Sequence, residues 1–287
     1  MHRTLGVIGG SGLYEMEGFE RVEEKSVSTV FGEPSDVVIS GWLGETQLLF
    51  LPRHGRAHRV PPHRINYRAN ILALKMLGAE QVVSVTAVGS MKESIHPGDI
   101  VLVDQFIDRT RGRPFTFFED DGVVAHVELA EPTDRVLRTA LHVAAAKVGA
   151  RAHLGGTYVV IEGPQFSTRA ESLLFRSWGV DVIGMTNLPE ARLAREAELP
   201  YATMALVTDY DCWHESEESV SVDAVLATLR KNVGTAKEIL RAVARELPDA
   251  AASPATSALK NAILTRPENV PRAAREKLRP LLHKYLP

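Results

Sequence analysis

Cysteine is nearly absent: the 287 residues include only Cys212. One thiol cannot close an internal disulfide, and a cysteine-rich metal site is excluded. Neither sign of charge dominates. The 33 Lys and Arg stand against 36 Asp and Glu, a formal net charge of -3. No global field recruits nucleic acid or an anionic membrane. No apolar run approaches the length of a membrane span. The apolar run at residues 4–8 is too short for a signal-peptide core and leads into glycines. These absences predict a cytoplasmic protein in a reduced compartment.

What is present is ordinary for a globular chain: 45% apolar and 24% charged residues. The length suits one large α/β domain or two small ones. Residues 4–8 read as a strand stopped by Gly9, Gly10 and Gly12. Residues 37–41 and 46–51 read as paired strands. Residues 66–77 have helical periodicity, and Gly78 suits a helix stop. Further strands are predicted at 81–86, 99–107, 157–161, 180–183 and 201–208. Helices are predicted at 133–148, 168–178, 189–198 and from Ser221 to about 246, with Pro189 in a first turn and Ser221 as a cap. Strands and helices alternate, which predicts an α/β fold. Residues 249–257 are rich in Ala, Ser and Pro and read as a linker to a short helical tail. The domain reading is a catalytic unit over 1–248, with 249–287 as linker and tail, part of the same domain or packed on a neighbouring subunit.

Six constellations have chemical content. Gly9-Gly10-Ser11-Gly12 at a strand end can turn backbone N–H groups and a hydroxyl toward an anion. A tight turn is the plainer alternative. A dinucleotide fingerprint would need glycine where Glu15 stands. Arg53-His54-Gly55-Arg56 opens a basic loop suited to an anion. A solvated surface competes with that reading. Metal binding by His54, His58 and His63 is disfavoured by adjacent arginines and by Pro61 and Pro62. Thr86-Ala87-Val88-Gly89-Ser90 ends a strand where α/β proteins place ligands, or simply packs closely. In the run from Ile161 to Glu171, Phe166 is placed to stack on a flat base, and Thr168 with Glu171 reads as a capping box. Gly184-Met185-Thr186-Asn187 can hold an anion or a sugar. Asp209 and Asp211 project to one side of an extended chain. Paired carboxylates at a buried strand end are costly unless paired or functional, which points to general acid chemistry, with turn capping as the duller alternative.

Together with Asn-Tyr-Arg-Ala-Asn, Pro-Gly-Asp-Ile-Val and Asp-Gln-Phe-Ile-Asp-Arg-Thr, these motifs occur in an order that resembles the methylthioadenosine phosphorylase branch of the trimeric purine nucleoside phosphorylase family. The resemblance covers about residues 4 to 246. It implies a single α/β domain around a mixed, partly barrel-like sheet, and a homotrimer or a hexamer of two trimers with active sites near subunit boundaries. It implies a nucleoside and phosphate as substrates, with no metal, organic cofactor, nucleic acid or membrane. Phosphate would lie among Ser11, Arg53, His54, Thr86, Ala87 and Thr186. Met185 would contact the ribose and Phe166 the base. Asp209 would serve N7 of the purine and Asp211 its 6-amino group. Val222 and Val225 would line the 5' pocket, with His126 of a neighbouring subunit closing it. Ser167 and Val222 match positions tied to substrate choice. Ser11 stands where a threonine is often found. Gly184 and Asn187 stand where relatives carry an amide and a threonine. The tail beyond about residue 265 departs from the animal enzymes.

Three rival functions remain at this level. A 6-oxopurine nucleoside phosphorylase is disfavoured by the aspartates, since an oxo group needs a donor. A nucleoside hydrolase would carry an aspartate-rich calcium site near the N-terminus. A non-catalytic nucleoside-binding protein would bind without releasing adenine.

Overall fold

The computed structural model describes residues 3–10, 12–119, 121–214 and 222–286, with the backbone alone for 222–226. Ser11 and Ser221 lie outside the described residues, as do the side chains of Val222 and Val225. Among the described residues, eleven strands form one mixed sheet. In chain order they are β1 (Arg3–Gly9), β2 (Glu20–Lys25), β3 (Val38–Leu43), β4 (Thr46–Pro52), β5 (Gln81–Ser90), β6 (Ile100–Val103), β7 (Gln105–Arg109), β8 (Ala152–Leu154), β9 (Thr157–Ile161), β10 (Val182–Gly184) and β11 (Tyr201–Tyr210). The helices are α1 (Tyr67–Met76), α2 (Arg135–Lys147), α3 (Arg169–Ser177), α4 (Asn187–Glu196), α5 (Val222–Arg245), α6 (Arg272–Lys277) and α7 (Arg279–Leu282).

β5 is the hub of the sheet. It runs parallel to β1 along Gln81–Ser84 and parallel to β11 along most of its length. Its far end, at Gly89 and Ser90, pairs antiparallel with β10. A strand that changes neighbours along its length bends the sheet toward a barrel, which gives physical content to the partly barrel-like fold. β1 is also parallel to β4. The carboxyl ends of β1, β4, β5 and β11 therefore share one edge, the usual ligand side of such a sheet.

Two apolar layers cover the sheet. One joins Leu5, Val83, Met204, Leu141 and Ile239, and packs α2 and α5 on it. The other joins Ile8, Ile71, Leu74, Ala191 and Leu199, and packs α1 and α4. The second layer also buries Leu278, Leu281 and Leu282 of the tail. Residues 249–257, read from composition as a linker, are short helical turns packed on the body. Ser253 is buried with its hydroxyl on Asp134, and Leu259 N–H donates to Glu198 Oε1 at 3.0 Å. Small residues and proline serve here to pass a tight surface rather than to make a tether.

Several local readings are matched closely. Asn66 caps α1 by accepting from Ala69 N–H, and Gly78 leaves it at φ +90. Thr168 and Glu171 form the capping box of α3. Three features differ. The predicted strand at 99–107 is two strands, because Asp104 turns the chain by exchanging hydrogen bonds with Gly156. The edge strand β2 reads Glu-Arg-Val-Glu-Glu-Lys and is almost wholly exposed, so it has no apolar alternation to betray it. The helix predicted from Pro189 begins at Asn187, with Leu188 in an extended conformation.

Candidate active site

At the shared strand edge lies a cavity of about 400 Å³. That volume fits a small-molecule site. The ends of β1, β4, β5 and β11 supply Gly10, Arg53, Thr86 to Gly89, and Thr208, Asp209 and Asp211. Phe166 and Ser167 come from the loop after β9, and Gly184 to Thr186 follow from β10. Leu229 and Val233 of α5 close one wall.

Arg53 anchors one end. Its guanidinium is 2% exposed and faces Glu190 with two parallel contacts, Nε to Oε2 at 2.9 Å and Nη2 to Oε1 at 3.0 Å. Nη1 donates to the Val85 carbonyl at 3.1 Å, and Nη2 reaches the Ile8 carbonyl at 3.2 Å and Ser84 Oγ at 2.5 Å. The fork that the sequence suggested for an anion is thus closed on Glu190. A sealed guanidinium requires an internal carboxylate, since an isolated buried charge costs far more than a paired one. Burial disfavours the Arg53 charge, but Glu190 outweighs it and holds the group firmly protonated. The pair extends into a buried polar network. Tyr201 Oη donates to Glu190 at 2.9 Å, and Asn187 Nδ2 donates to Tyr201 Oη at 2.7 Å and Thr203 Oγ1 at 2.6 Å. Asn187 is fully buried in that network and does not line the cavity.

Above the arginine, Thr86 Oγ1 and Thr186 Oγ1 meet at 3.0 Å across the cavity floor. Thr186 precedes α4, yet its hydroxyl is not spent on capping the helix. Ala87 is exposed to the cavity beside Thr86. His54 Nδ1 lies 2.8 Å from the Val60 carbonyl. A carbonyl only accepts, so Nδ1 carries the proton and Nε2 is an acceptor in the neutral ring. Burial, then the nearby Arg53 charge, lowers the His54 pKa to about 4. The second arginine of the motif, Arg56, turns away and pairs with Asp36 and Glu24.

The other end carries the carboxylates. Thr208 Oγ1 donates to Asp209 Oδ2 at 2.6 Å. Ser167 Oγ donates to Asp211 Oδ2 at 3.0 Å, and Ser172 Oγ donates to the same oxygen. A β-bulge between Val207 and Asp209 shifts the register there. Both aspartates nevertheless gather around Gly89: a Cβ on that glycine would lie 3.1 Å from Asp209 Oδ1 and 3.3 Å from Asp211 Cβ. A side chain at position 89 would press on the Asp209 carboxylate and the Asp211 side chain at once.

Of the remaining sequence-predicted residues, Met185 and Phe166 line the cavity, and Phe166 is 84% exposed. His126 is exposed on a segment tied to Ala262 and Ile263, and is not among the cavity-lining residues of its own chain. Among the described residues, no group of three or more His, Cys, Asp or Glu side chains is placed to hold a metal ion. None of their helices is long and apolar enough to cross a membrane. Sequence reading missed Glu190, Ser172, Leu229 and Val233. The helical spacing of Val225, Leu229 and Val233 was a usable signal. Glu190 and Ser172 gave none, being distant in sequence from the groups they serve.

A strand-edge cavity with an arginine-anchored floor at one end and paired carboxylates at the other, on this sheet, defines an α/β protein of the nucleoside phosphorylase class. The chain belongs to the phosphorylase superfamily, whose family model matches residues 4–245. An S-methyl-5'-thioadenosine phosphorylase of Geobacter sulfurreducens is 52% identical over 286 residues, covering all of both chains. A relative of the same name from Koribacter versatilis is 50% identical over 99% of this chain and 97% of its own. Among solved structures, a methylthioadenosine phosphorylase from an Antarctic soil metagenomic library is 44% identical with a TM-score of 0.92, covering 98% of this chain and 100% of the other. A Schistosoma mansoni methylthioadenosine phosphorylase in complex with adenine is 38% identical with a TM-score of 0.85, covering 91% and 99%.

Proposed function

We propose that the protein catalyses phosphorolysis of S-methyl-5'-thioadenosine to adenine and S-methyl-5-thio-α-D-ribose 1-phosphate. The observation that carries this reading is the pairing, in one cavity, of the Thr86–Thr186 floor over Arg53 with the two aspartates, Asp209 and Asp211, beside Gly89. Relatives of that activity match the whole chain.

As the glycosidic bond breaks, positive charge builds on the sugar and negative charge on the departing purine. Phosphate held by Thr86, Thr186, the backbone at Ala87, His54 and Ser11, over the Arg53 charge, stabilises the first and then captures it. Neutral His54, with Nδ1–H committed to Val60, offers Nε2 as acceptor to a protonated phosphate oxygen. Asp209 shares a proton with purine N7, and general acid help of this kind contributes about 10²–10⁴-fold. Asp211, whose Oδ2 is held by Ser167 and Ser172, receives the 6-amino group and disfavours a 6-oxo group. Phe166 faces the base and Met185 the ribose. The 5' methylthio pocket is assigned to the α5 face that Leu229 supplies, with Val222 and Val225 as its further residues, Ser167 and Val222 as the positions of substrate choice, and His126 of a neighbouring copy as its closure in a homotrimer or a dimer of trimers. Phosphate is a co-substrate, and the reaction needs no metal or organic cofactor. The compartment is the cytoplasm.

The test is adenine release from methylthioadenosine by purified protein with and without phosphate. Strict dependence on phosphate is expected. Equal rates without it would mark a hydrolase, and binding without adenine release would mark a non-catalytic protein. Release of hypoxanthine from inosine in preference would mark a 6-oxopurine enzyme.

A further inference from the structure

Directly under the cavity floor lies a polar group that the reading above leaves unused. Tyr158 of β9 is fully buried, and its hydroxyl has no hydrogen-bond partner among the described residues. A buried hydroxyl left in that state is uncommon and costly. Its ring packs on Phe106 at 5.8 Å, and its oxygen is aimed at Gly184. A Cβ on Gly184 would collide with the Tyr158 hydroxyl. The tyrosine thus occupies the space that a side chain at position 184 would need. Gly184, Thr86 and Thr186 all line the cavity, and the polar groups acting on the phenol are the Thr186 backbone, the Arg53 charge and the hydroxyls of Thr86 and Thr186.

The hydrogens can be counted. Each threonine hydroxyl has one hydrogen to give and lone pairs to receive. In the structure the two hydroxyls meet each other at 3.0 Å, so one donates to the other. An anion on the floor draws both hydrogens, which leaves both oxygens as acceptors facing inward. The Tyr158 hydroxyl is the neighbouring group able to donate to them. Burial raises the phenol pKa, so it keeps its proton and acts only as a hydroxyl.

We propose that Tyr158 is a positioning residue for the phosphate: its single buried hydroxyl hydrogen goes to one oxygen of the Thr86–Thr186 pair, replaces the hydrogen that one threonine gave the other, and so leaves both threonine hydrogens for the anion. The inference rests on the phosphate reading of the floor given above. It also accounts for Gly184, whose missing side chain makes room for the phenol.

Tyr158→Phe keeps the ring and removes only the hydroxyl, so the test starts from a folded protein. Affinity for inorganic phosphate is measured on wild type and variant by calorimetry and by phosphate-dependent thermal shift, with no nucleoside present. The steady-state KM values for phosphate and methylthioadenosine are then compared. Wild type is expected to bind phosphate, and Tyr158→Phe to bind it about 5–10-fold more weakly, the net effect of one ordinary hydrogen bond. The KM for phosphate should rise likewise while the KM for methylthioadenosine stays within about twofold, inside the scatter of such measurements. Without phosphate the variant should melt no lower than wild type, since an unpaired buried hydroxyl has gone. Failure of wild type to bind phosphate would overturn the reading of the floor itself. Phosphate affinity equal to wild type in the variant, or parallel losses in both KM values with a lowered melting temperature, would overturn the role of Tyr158 and leave that reading intact.

Discussion

The two ends of the cavity are built differently. The anion end is a buried lattice: Arg53, Glu190, Tyr201 and Asn187 are linked by hydrogen bonds across β4, α4 and β11, and none is more than 2% exposed. The nucleoside end is made of a loop with an exposed Phe166, strand-end carboxylates held by three hydroxyls, and one face of α5. The difference follows from what each end must do. A doubly charged ligand is best met by dipoles and charges fixed in advance, because reorganising them during reaction costs energy. A bulky, flat ligand needs a door, and loops and helix faces can supply one. Changes that break the buried lattice of the anion end should therefore spread into stability, while changes at the nucleoside end should stay in rate and selectivity.

The largest expected effect tests the nucleoside end. In Asp209→Asn the amide oxygen can still accept from Thr208, leaving its N–H to face the base. It can hold N7 but cannot transfer a proton. Turnover of methylthioadenosine should fall about 10²–10⁴-fold, with a melting temperature near that of wild type. Activity on 6-oxopurine nucleosides should rise relative to 6-aminopurine nucleosides. Paired kcat and KM measurements on methylthioadenosine and inosine would show it, and unchanged turnover would mean the pair is structural.

Arg53→Ala breaks the anion end. It strands Glu190 at 0% exposure. Removing one partner of a buried pair costs about 3–5 kcal/mol. Denaturant unfolding should register that loss together with a raised phosphate requirement. Weakened phosphate use with full stability would contradict the lattice. Replacing Arg53 and Glu190 together by apolar residues should restore much of the stability but not the phosphate use.

A smaller effect concerns the 5' wall. Leu229 is apolar and lines the cavity one turn beyond Val225. An apolar pocket discriminates by about 10–200-fold, so wild type should prefer methylthioadenosine to adenosine within that range. Leu229→Gln should narrow the ratio of kcat/KM values. A ratio unmoved by the change would place the methylthio group elsewhere.

The smallest effect lies outside the cavity and serves as a control. Burial pushes the Glu196 carboxyl up to about 7, against the lowering effect of hydrogen bonds from Phe117 N–H and Thr116. Its folded pKa exceeds the unfolded value of 4.5, so the folded state binds the extra proton. The contribution is favourable at low pH and is lost as pH rises from about 4.5 through about 7. Glu196→Gln, which can accept from Phe117 and donate to Thr116, should flatten stability across pH 5 to 8 and leave activity alone. Melting curves over that range check it.

Legibility in the sequence divides along similar lines. Asp209 and Asp211 were visible as a pair because two-residue spacing alone places them on one side of a strand. The glycine turn, the Thr86 strand end and the capping box of α3 were visible because each is a local pattern. Glu190, which takes the fork of Arg53, lies 137 residues away along the chain. Ser172, which holds Asp211, lies 39 residues away, inside a helix where serine gives no signal. Tyr158 reads as one more apolar strand residue until its hydroxyl is seen under Gly184. The fold class was legible because strands and helices alternate, whereas the barrel-like bend at β5 depends on three partners that no local pattern encodes.

The central claim is that phosphate, not water, takes the sugar. The most direct measurement is phosphorus NMR of a reaction holding methylthioadenosine and phosphate, with adenine followed in the same tube. One sugar 1-phosphate signal should grow for each adenine released, with inorganic phosphate falling in step. Adenine appearing with free methylthioribose and an unchanged phosphate signal would contradict it.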